Sequence, residues 1–462
     1  MLDNLIIDPD LIRKYGGSGP RYTSYPTADR FVEAFDAAAY RHWLENRSTD
    51  GSKRPLALYV HLPFCDTICY YCGCNKIITK DHGRSAKYLK YLGKEIRLLA
   101  EILKDDLAVS QMHWGGGTPT FLSEDELAEL MRVLRSEFHF YPEGEYAIEV
   151  DPRKVSQERV ALLAELGMNR ISLGVQDFDS AVQKAVNRVQ SFDETQNVIL
   201  AARRNGFKSV NVDLIYGLPK QNVEGFSRTL DRVLDCDPDR VALYSYAHLP
   251  TVFKPQRRIA EAELPPPDEK LKILTTAIAR LESAGYVYIG MDHFAKPQDD
   301  LAVAQREGRL TRNFQGYSSA GDADIIGLGV SAIGMVGPVY AQNLKTLDEY
   351  YNCLDGGELP VMRGIELSAD DLLRRAVIQA LACHFAVSRK AISAAYRIDF
   401  DSYFAAELNV LRQQEKEGLV KIDVDRIEVT PKGRLLVRVV CMTFDRYLQT
   451  ATIQRAQYSK VI

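Results

Sequence analysis

The sequence lacks both a long apolar run and a surplus of charge of one sign. Nowhere does it approach the roughly 18 uninterrupted apolar residues that a membrane-spanning helix needs. Its 58 Lys and Arg residues against 62 Asp and Glu residues leave a net charge of −4, which offers no general attraction for nucleic acid. We therefore expect neither membrane insertion nor a nucleic-acid partner, and an anionic ligand would need a local basic pocket.

A signal peptide and a disulfide framework are also missing. The start of the chain is acidic and lacks the basic and apolar regions of a secretion signal. We therefore expect a cytoplasmic protein, in which the eight cysteines stay reduced. Half of them are scattered through apolar surroundings, where a cysteine usually packs as a small hydrophobic residue. These are Cys236, Cys353, Cys383 and Cys441.

What the sequence does contain is a regular alternation of strand and helix patterns. Six apolar, β-branched segments, each followed by a helical pattern, predict an α/β fold with a parallel sheet covered on both faces. The predicted strands are Leu56–His61, Val109–Trp114, Tyr146–Val150, Arg170–Val175, Ser209–Ile215 and Arg240–Tyr246. No Gly-x-Gly-x-x-Gly follows the first strand, so a partial barrel is favoured over a dinucleotide fold. In a barrel, the chemistry is expected at the carboxyl ends of the strands.

The segments on either side of these βα units differ in character. We divide the chain into an N-terminal arm, residues 1–54, a catalytic domain, residues 55–365, and a small C-terminal helical domain, residues 366–462. Within the arm, Gly16–Pro26 is too rich in Gly and Pro to form a long helix. It could serve as a linker or wrap over a site.

The C-terminal domain resembles a winged-helix module. Helical patterns over Asp370–Leu381 and Ser402–Glu417 precede two short strand patterns. The strands, Leu419–Ile422 and Ile427–Val429, are predicted to form a hairpin closed by Pro431–Gly433. Because no concentrated basic face accompanies this module, a lid or packing role is favoured over DNA binding.

A cluster of cysteines follows the first predicted strand directly. Cys65, Cys69 and Cys72 have the spacing C-x3-C-x2-C, and Cys74 lies two residues further on. Thiolates are the usual ligands of iron–sulfur clusters, whereas a structural zinc site needs four ligands, often in two C-x2-C pairs, and no second pair is present. Three ligands would leave one iron open for a cofactor. We therefore predict that these three cysteines bind a cluster and that Cys74 does not.

This motif, at the end of the first strand of a βα series, resembles the radical S-adenosylmethionine (SAM) superfamily. The resemblance implies a partial (β/α)6 radical SAM barrel, a [4Fe–4S] cluster and SAM as cofactors. In that superfamily, reductive cleavage of SAM yields a 5′-deoxyadenosyl radical that takes hydrogen from the substrate. An open iron exposed to oxygen also implies that activity requires anaerobic conditions.

Further motifs are similar to those of the oxygen-independent coproporphyrinogen III oxidase family. They are Gly19-Pro-Arg-Tyr-Thr-Ser-Tyr-Pro26, Cys72-Gly-Cys74, Trp114-Gly-Gly-Gly-Thr-Pro-Thr120, Ile171-Ser-Leu-Gly-Val-Gln-Asp-Phe178, Asp213-Leu-Ile-Tyr-Gly-Leu-Pro219 and Asn313-Phe-Gln-Gly-Tyr317. The resemblance implies that two propionates of coproporphyrinogen III become vinyl groups, with loss of two CO2, to give protoporphyrinogen IX in haem synthesis. It also implies a tetrapyrrole substrate, an unidentified electron donor and acceptor, and two bound SAM molecules.

The resemblance also assigns the site residues. Tyr59 and His61 share one face of the first strand and are the catalytic candidates. Cofactor binding is assigned to Tyr59, Tyr71, Gly116, Gly117, Thr118, Glu149, Gln176, Arg188, Asp213, Ala247 and Ile333. Tyr71 stands where we expect Phe in the family. From the residues alone, Tyr59 could instead pack in the core, and Gln176 and Asp213 could make structural hydrogen bonds.

Four substrate propionates call for cations, and Arg suits bidentate contacts to carboxylates. The candidates for substrate binding are Arg21, Lys254, Arg257, Arg258 and Gln315. Each of the four charged side chains could equally be an ordinary solvated surface charge.

Three other functions would each require features that this sequence lacks or would not account for those it has. A radical SAM haem chaperone without oxidase activity usually has an aromatic residue where Cys74 stands and lacks the N-terminal arm. A radical SAM enzyme that acts on RNA would need a basic appendage. A structural Fe–S module would not leave an iron open. The sequence favours the oxidase over all three.

Overall fold

A computed structural model describes residues 5–47, 54–104, 106–319, 321, 323–449 and 460–461. The chain divides into two compact units. The larger unit comprises Phe31–Ala277 and Asp322–Glu366, and the smaller comprises Met1–Arg30, Ile278–Gly321 and Leu367–Ile462. The predicted domain boundaries after residues 54 and 365 stay a prediction.

The helices and strands of the described residues are as follows. The strands are β1 Leu56–Leu62, β2 Phe64–Cys65, β3 Ile77–Ile78, β4 Ala108–Gly116, β5 His139–Val150, β6 Arg170–Gln176, β7 Ser209–Tyr216, β8 Arg240–Ser245, β9 Val287–Gly290, β10 His293–Ala295, β11 Thr311–Asn313, β12 Gly316–Ser318, β13 Asp324–Leu328, β14 Ile333–Val336, β15 Val339–Asn343, β16 Val361–Glu366, β17 Ala386–Ser388, β18 Val420–Ile422 and β19 Arg426–Val429. The helices are α1 Pro9–Tyr15, α2 Ala37–Glu45, α3 Gly83–Leu103, α4 Glu124–Glu137, α5 Gln157–Glu165, α6 Ser180–Ala185, α7 Phe192–Arg204, α8 Val223–Asp235, α9 Pro267–Ser283, α10 Asp300–Arg306, α11 Leu347–Asp355, α12 Ala369–His384, α13 Arg389–Tyr396, α14 Phe400–Tyr403, α15 Ala405–Lys416, α16 Val437–Thr443 and α17 Arg446–Gln449.

The sheet of the larger unit has the strand order β16-β15-β14-β13-β1-β4-β5-β6-β7-β8. Each neighbouring pair from β1 through β8 is parallel, and β13 lies parallel to β1 on its other side. The pairs from β13 to β16 are antiparallel. The six predicted parallel strands are therefore confirmed, and their carboxyl ends meet at one edge of the sheet.

The central strands β1 and β13 are covered on both faces, as predicted, whereas buried and half-buried residues alternate along most of β6 and β7. Along β1 every residue except Tyr59 is buried, and every residue of β13 is buried. On the outer layer, α8 packs Phe226, Leu230 and Val233 inward at helical spacing. Ser123 and Glu126 form a capping box that begins α4.

β5 departs most from the predicted strands, since it begins at His139 and not at Tyr146. Residues 139–143 are mostly exposed, so no apolar pattern marks them. Main-chain pairing extends the strand nevertheless, because Ala108 and Val109 of β4 lie opposite His139 and Phe140. Sequence hydrophobicity cannot detect a strand of this kind.

The smaller unit contains the antiparallel sheet β17-β19-β18 together with α12, α13, α15 and α16. This confirms the winged-helix-like prediction for the C-terminal region. The predicted closure of the hairpin by Pro431–Gly433 was wrong: residues 423–425 connect the strands, and Asp423 N donates to Arg426 O at 2.9 Å. The predicted helix over Ser402–Glu417 is interrupted at Phe404, which is completely buried. None of the helices in the described ranges has the length and hydropathy needed to cross a bilayer.

A buried carboxylate in the larger unit holds the segment that follows β13. Glu95 of α3 is only 1% exposed and accepts hydrogen bonds from Gly329 N at 2.7 Å, Asn343 Nδ2 at 2.6 Å and Tyr350 Oη at 2.5 Å. Burial raises the pKa of Glu95 to about 7, although these hydrogen bonds offset part of the rise. Nearby, Tyr88 Oη donates to His61 O at 2.7 Å, which joins this region to the end of β1.

We predict that Glu95→Gln changes the pH dependence of stability. The pKa of Glu95 is higher in the folded chain, about 7, than its ordinary value of 4.5. Folding therefore favours the protonated form, and this contribution is lost as pH rises from 4.5 to 7. Relative to the variant, the wild type should lose stability by about 1.4 kcal/mol per pH unit in this window.

Thermal melting of both proteins between pH 5 and 8 measures this difference. The amide of the variant faces hydrogen-bond donors, so its melting temperature should fall at every pH, and only the slope is diagnostic. Glu101→Gln, at an exposed position on the same helix, is the matched control and should leave the slope unchanged. Parallel curves for wild type and Glu95→Gln would contradict the prediction.

Candidate active site

A cleft of about 290 Å³ opens at the carboxyl ends of the parallel strands in the larger unit. Its walls come from the segments that follow β1, β4, β5 and β6 and from side chains on β7 and β8. The predicted site residues that line it are Cys65, Cys69, Tyr71, Cys72, Gly116, Gly117, Thr118, Glu149, Gln176, Arg188 and Asp213. Residues separated by up to 148 positions in sequence therefore meet in one cavity, at the end of the barrel where chemistry was predicted.

The cysteine loop, residues 65–74, forms one wall of the cleft. Its base is fixed by the short parallel pair β2 and β3, and the Tyr70 N–H donates to Val186 O at 3.0 Å. Cys65, Cys69 and Cys72 are half-buried free thiols that line the cleft, and Thr118 Oγ1 donates to Cys65 Sγ at 3.5 Å. Cys74, predicted not to be a ligand, lines the same cleft and is exposed.

The thiols of the cysteine loop differ in how well they suit a zinc ion and an iron–sulfur cluster. Among the described residues, no group of three His, Cys, Asp or Glu side chains is arranged to hold a single metal ion. A zinc ion would need such a group, with each thiolate about 2.3 Å from the same atom. A cube-shaped cluster binds its thiolates through different iron atoms, so it suits three thiols that line one cavity without converging on a point. The residues fit a cluster better than a zinc ion.

Behind the glycines of β4 lies a hydrogen-bonded group of aromatic and acidic side chains. Tyr59 Oη donates to His61 Nδ1 at 3.1 Å, and His61 Nε2 donates to Asn75 O at 3.0 Å. The Tyr59 ring stacks on His113 with centroids 5.9 Å apart. Burial lowers the pKa of His61, in agreement with a neutral ring that accepts at one nitrogen and donates at the other.

Glu149, at the end of β5, is fixed by two donors. His113 Nε2 lies 3.0 Å from Glu149 Oε1, and the Gly116 N–H donates to Glu149 Oε2 at 3.2 Å. Desolvation in the cleft would raise the pKa of this half-exposed carboxyl group. The hydrogen bond and charge of His113, together with the Gly116 N–H, outweigh that effect and hold the pKa below its ordinary value.

Gly115 and Gly116, at the end of β4, are packed so closely against their neighbours that neither position has room for a side chain. A Cβ at Gly115 would lie 2.9 Å from the Glu149 carboxylate, and one at Gly116 would lie 2.5 Å from the His61 ring. Gly116 also has a φ of 112°, which favours glycine. Glycine at these two positions therefore makes room for Glu149 and His61, and the main chain of Gly116 and Gly117 lines the cleft.

Two arginines share one buried carboxylate on the other side of the cysteine loop. Arg153 pairs with Asp151 at 2.6 Å, and Arg188 lies 3.4 Å from the same group. Arg188 also donates to Gly174 O at 2.6 Å and contacts Cys69 Sγ at 3.6 Å. Its Nε is buried without a hydrogen-bond partner among the described residues. The guanidinium thus keeps a donor for a ligand in the cleft.

Asp213 differs from the other carboxylates because neutral groups hold it. Asn211 Nδ2 donates to Oδ1 at 2.9 Å and Ser172 Oγ donates to Oδ2 at 3.2 Å. Desolvation and the nearby negative charge of Glu149 raise the pKa of Asp213 to about 6, against these hydrogen bonds. Gln176, at the end of the neighbouring strand, has a φ of 69°, an uncommon conformation for a residue with a side chain.

The remaining predicted site residues do not line this cleft. Ala247 lies next to it after β8, Ile333 lies on β14, and Lys254, Arg257 and Arg258 are exposed on a short 3-10 helix. Arg257 donates to Pro250 O and Arg258 lies over the Tyr70 ring. Arg21 and Gln315 belong to the smaller unit, where Arg21 pairs with Asp292 at 2.6 Å.

Three residues that the sequence did not single out support the cleft: His113, Lys76 and Gln256. Gln256 is 2% exposed and bonds only to main-chain groups: Nε2 donates to Tyr71 O at 3.1 Å and Ala247 O at 3.2 Å, and Oε1 accepts from Leu249 N. It ties the cysteine loop to the segment after β8. A glutamine between Pro255 and two arginines carries no sequence signal of this role.

Two family models match the chain. The model described as the Radical SAM superfamily matches residues 59–233, which include the cysteine loop and most of the cleft. The model described as the HemN C-terminal domain matches residues 367–436. The second match begins close to the start of the predicted C-terminal domain.

Curated relatives match over the whole chain. An oxygen-independent coproporphyrinogen III oxidase from Pseudomonas aeruginosa is 50% identical over 464 residues, which cover 100% of each chain. The relative of the same name from Escherichia coli K12 is 49% identical over 98% of each chain. The solved structure of coproporphyrinogen III oxidase (HemN) from Escherichia coli, described as a radical SAM enzyme, is similar with a TM-score of 0.91 at 47% identity. That match covers 96% of this chain and 100% of the other.

We predict that Gln256→Leu loosens the contact between the cysteine loop and the segment after β8. The substitution keeps the volume but leaves Leu249 N and two carbonyls without their partner, at about 1–3 kcal/mol for each buried group left unsatisfied. Hydrogen exchange at the Leu249 amide should accelerate. Gln256→Glu retains an acceptor for Leu249 and should keep that amide protected. Equal protection in Gln256→Leu and the wild type would show that the contact does not order this segment.

Proposed function

Because the chain belongs to the radical SAM superfamily and, within it, to the oxygen-independent coproporphyrinogen III oxidase family, we propose that it converts coproporphyrinogen III to protoporphyrinogen IX in haem synthesis. The observation that carries the proposal is a cleft at the carboxyl ends of six parallel strands that is lined by four thiols. Three of them, Cys65, Cys69 and Cys72, have the spacing C-x3-C-x2-C. The haem-chaperone alternative is not favoured, since full-length relatives at about 50% identity are named as oxidases.

Cys65, Cys69 and Cys72 would hold the [4Fe–4S] cluster and leave one iron for SAM. When bound, the cluster and SAM supply a 5′-deoxyadenosyl radical as the hydrogen acceptor for the substrate. Thr118 would contribute a hydroxyl beside Cys65, and Arg188 a guanidinium beside Cys69. Hydrogen bonds to the thiolates of a cluster are one of the means by which a protein tunes it.

Glu149 is suited to the hydroxyl or ammonium groups of SAM. Its carboxylate is ionised, faces the cleft and is held in one orientation by His113 and Gly116. The main chain of Gly116 and Gly117, which lines the cleft, would let a ligand approach closely. His113 does not line the cleft and would act through Glu149, as a positioning residue.

Tyr59 and His61 were the catalytic candidates, and their contacts favour a structural role over proton transfer. Both nitrogens of His61 are already engaged, one by Tyr59 and one by Asn75 O. To move a proton, His61 would have to break one of these bonds. We infer that the pair fixes the chain just beyond the cysteine loop and forms the backing for Gly116.

A second SAM molecule is part of the proposal. Arg188 has a free donor for a carboxylate, and Asp213 and Gln176 present acceptors to the same cleft. Tyr71 and Ala247 are held together by Gln256, and Ile333 lies on a strand of the same sheet. The ring of Tyr71 keeps the aromatic character expected at this position.

The reaction at the substrate needs more than acid–base groups. Each propionate loses a β-hydrogen atom, CO2 and one electron, which an acceptor must take up as the vinyl group forms. The β-hydrogen is not acidic, so a base could not start the reaction. A closed cleft would protect a carbon radical from water, which is the contribution that the chain itself would make. The electron donor and acceptor, a cytoplasmic location and the absence of a nucleic-acid partner stay predictions.

We predict that Cys65, Cys69 and Cys72 are each required for iron binding. Replacing any one by Ala should remove the visible absorbance and iron content of the anaerobically reconstituted protein, because a cluster held by two thiolates is lost readily. Cys74→Ala is the matched control in the same loop and should retain iron. If Cys74→Ala lost its iron while Cys72→Ala kept it, the ligand assignment would be wrong.

We also predict that hydrogen is taken from the propionate β-carbon. Coproporphyrinogen III deuterated at that carbon, incubated anaerobically with reductant and SAM, should transfer deuterium to 5′-deoxyadenosine, as detected by mass spectrometry. Substrate deuterated at the propionate α-carbon is the control and should transfer none. Unlabelled 5′-deoxyadenosine alongside normal vinyl product from the β-labelled substrate would refute this step.

A further inference from the structure

Lys76 is placed to act on the cysteine loop as a whole. It precedes β3, which pairs with β2 at the base of the loop, so both ends of the loop are anchored near it. Its Nζ donates to Cys72 O at 3.0 Å and to Cys74 O at 3.3 Å. The side chain is half-buried and lines the cleft. One ammonium group therefore binds the main chain on both sides of Gly73.

The charge of Lys76 differs from those of Arg153 and Arg188, and the fourth cation of the cleft lining, Lys154, is exposed whereas Lys76 is half-buried. Arg153 and Arg188 both lie against Asp151, so that carboxylate compensates much of their charge. The two hydrogen bonds of Lys76 go to carbonyl oxygens, which are dipoles and carry no net charge. Its full positive charge is thus held beside the third of the proposed cluster ligands.

A fixed cation has a definite effect on an iron–sulfur cluster. Three thiolates on a [4Fe–4S] core give an anion, and reduction by one electron makes it more negative. A positive charge nearby stabilises the reduced form more than the oxidised form, and the effect is strong where water is partly excluded. The reduction potential of a cluster depends on net charge, hydrogen bonds and solvent exposure. A half-buried, charged side chain beside the ligands, such as Lys76, can influence each of them.

We propose that Lys76 is a positioning residue that orders the cysteine loop and raises the reduction potential of the cluster held by Cys65, Cys69 and Cys72. The inference rests on the proposed function, since it requires that the cluster is bound. The two effects, ordering of the loop and the rise in reduction potential, can be distinguished because they need different chemical groups. Any donor of suitable length can bind the two carbonyls, whereas only a cation can favour the added electron.

The test is a redox titration of the full-length, anaerobically reconstituted protein without SAM. Dithionite supplies the electron through mediator dyes, and electron paramagnetic resonance measures the one-electron-reduced cluster. We expect Lys76→Gln, which can still donate a hydrogen bond, to retain iron and shift the midpoint potential to a more negative value. Lys76→Arg keeps the charge and should remain close to the wild type. Lys76→Met should shift at least as far as Lys76→Gln.

Lys208→Met is the matched control. It makes the same change of net charge next to the amino end of β7, the opposite end of the strand from the cleft, where Lys208 pairs with Glu143. Its potential should equal that of the wild type. Unchanged potential in Lys76→Gln, or an equal shift in Lys76→Arg, would overturn the electrostatic role.

The iron content of each protein shows whether a negative result counts against the role of Lys76 or against the proposed function. Wild-type protein that binds no cluster would refute the proposed function before any potential is measured. Loss of iron from both Lys76→Gln and Lys76→Met, with iron retained in Lys76→Arg, would overturn the tuning role and make Lys76 a residue of cluster assembly. We expect every variant to retain iron, with a midpoint potential close to the wild type in Lys76→Arg and more negative in Lys76→Gln and Lys76→Met.

Discussion

The register between β1 and its parallel neighbours is the constraint on which the cleft depends. It sets Tyr59 opposite His113 on β4 and opposite Gly327 on β13. Because side chains alternate along a strand, a slip of one residue would turn Tyr59 and His61 to the other face of the sheet. The stacked pair, the bond from His113 to Glu149 and the fit of His61 behind Gly116 would be lost together. The apolar residues that specify this register therefore also specify the site.

Buried carboxylates then hold the loops that extend from the sheet. Glu95 binds the segment after β13. Asp177, itself in the segment after β6, accepts hydrogen bonds from Thr229 Oγ1 of α8 and Gln221 Nε2, both at 2.6 Å. In each case the partners are neutral donors, mostly from other elements, so hydrogen bonds hold the loop and no ion pair is involved. Loops at the carboxyl ends of strands are otherwise the most mobile part of a barrel. Rigid loops let a cofactor meet side chains already in position.

Sequence patterns predicted the parts of this fold that repeat, and missed the parts that depend on register and long-range contacts. The six parallel strands, the helices between them and the three thiols facing one cleft could be predicted because apolar periodicity and cysteine spacing are local. The polar start of β5 could not, because its main-chain pairing leaves no apolar pattern. His113 and Gln256 act through partners 36 and 185 positions away, and neither distance is visible in a single sequence. Lys254, Arg257 and Arg258 stay predicted substrate contacts, and their exposed side chains lie on a short 3-10 helix outside this cleft.

The charges of the cleft also explain why its carboxylates are not equivalent. Asp151 is compensated by two arginines and Glu149 by His113, so the pKa of each is held below its ordinary value. Asp213 has only the neutral donors Asn211 and Ser172, and its pKa is about 6. Among these carboxylates, Asp213 is the one whose ionisation a cationic ligand such as SAM would change most, because its hydrogen bonds come from neutral groups. The arrival of such a ligand would favour ionisation of Asp213, so binding and loss of that proton would reinforce each other near neutral pH. Asp213 thus offers a positive ligand a second acidic position beside Glu149, whose carboxylate His113 and Gly116 already orient.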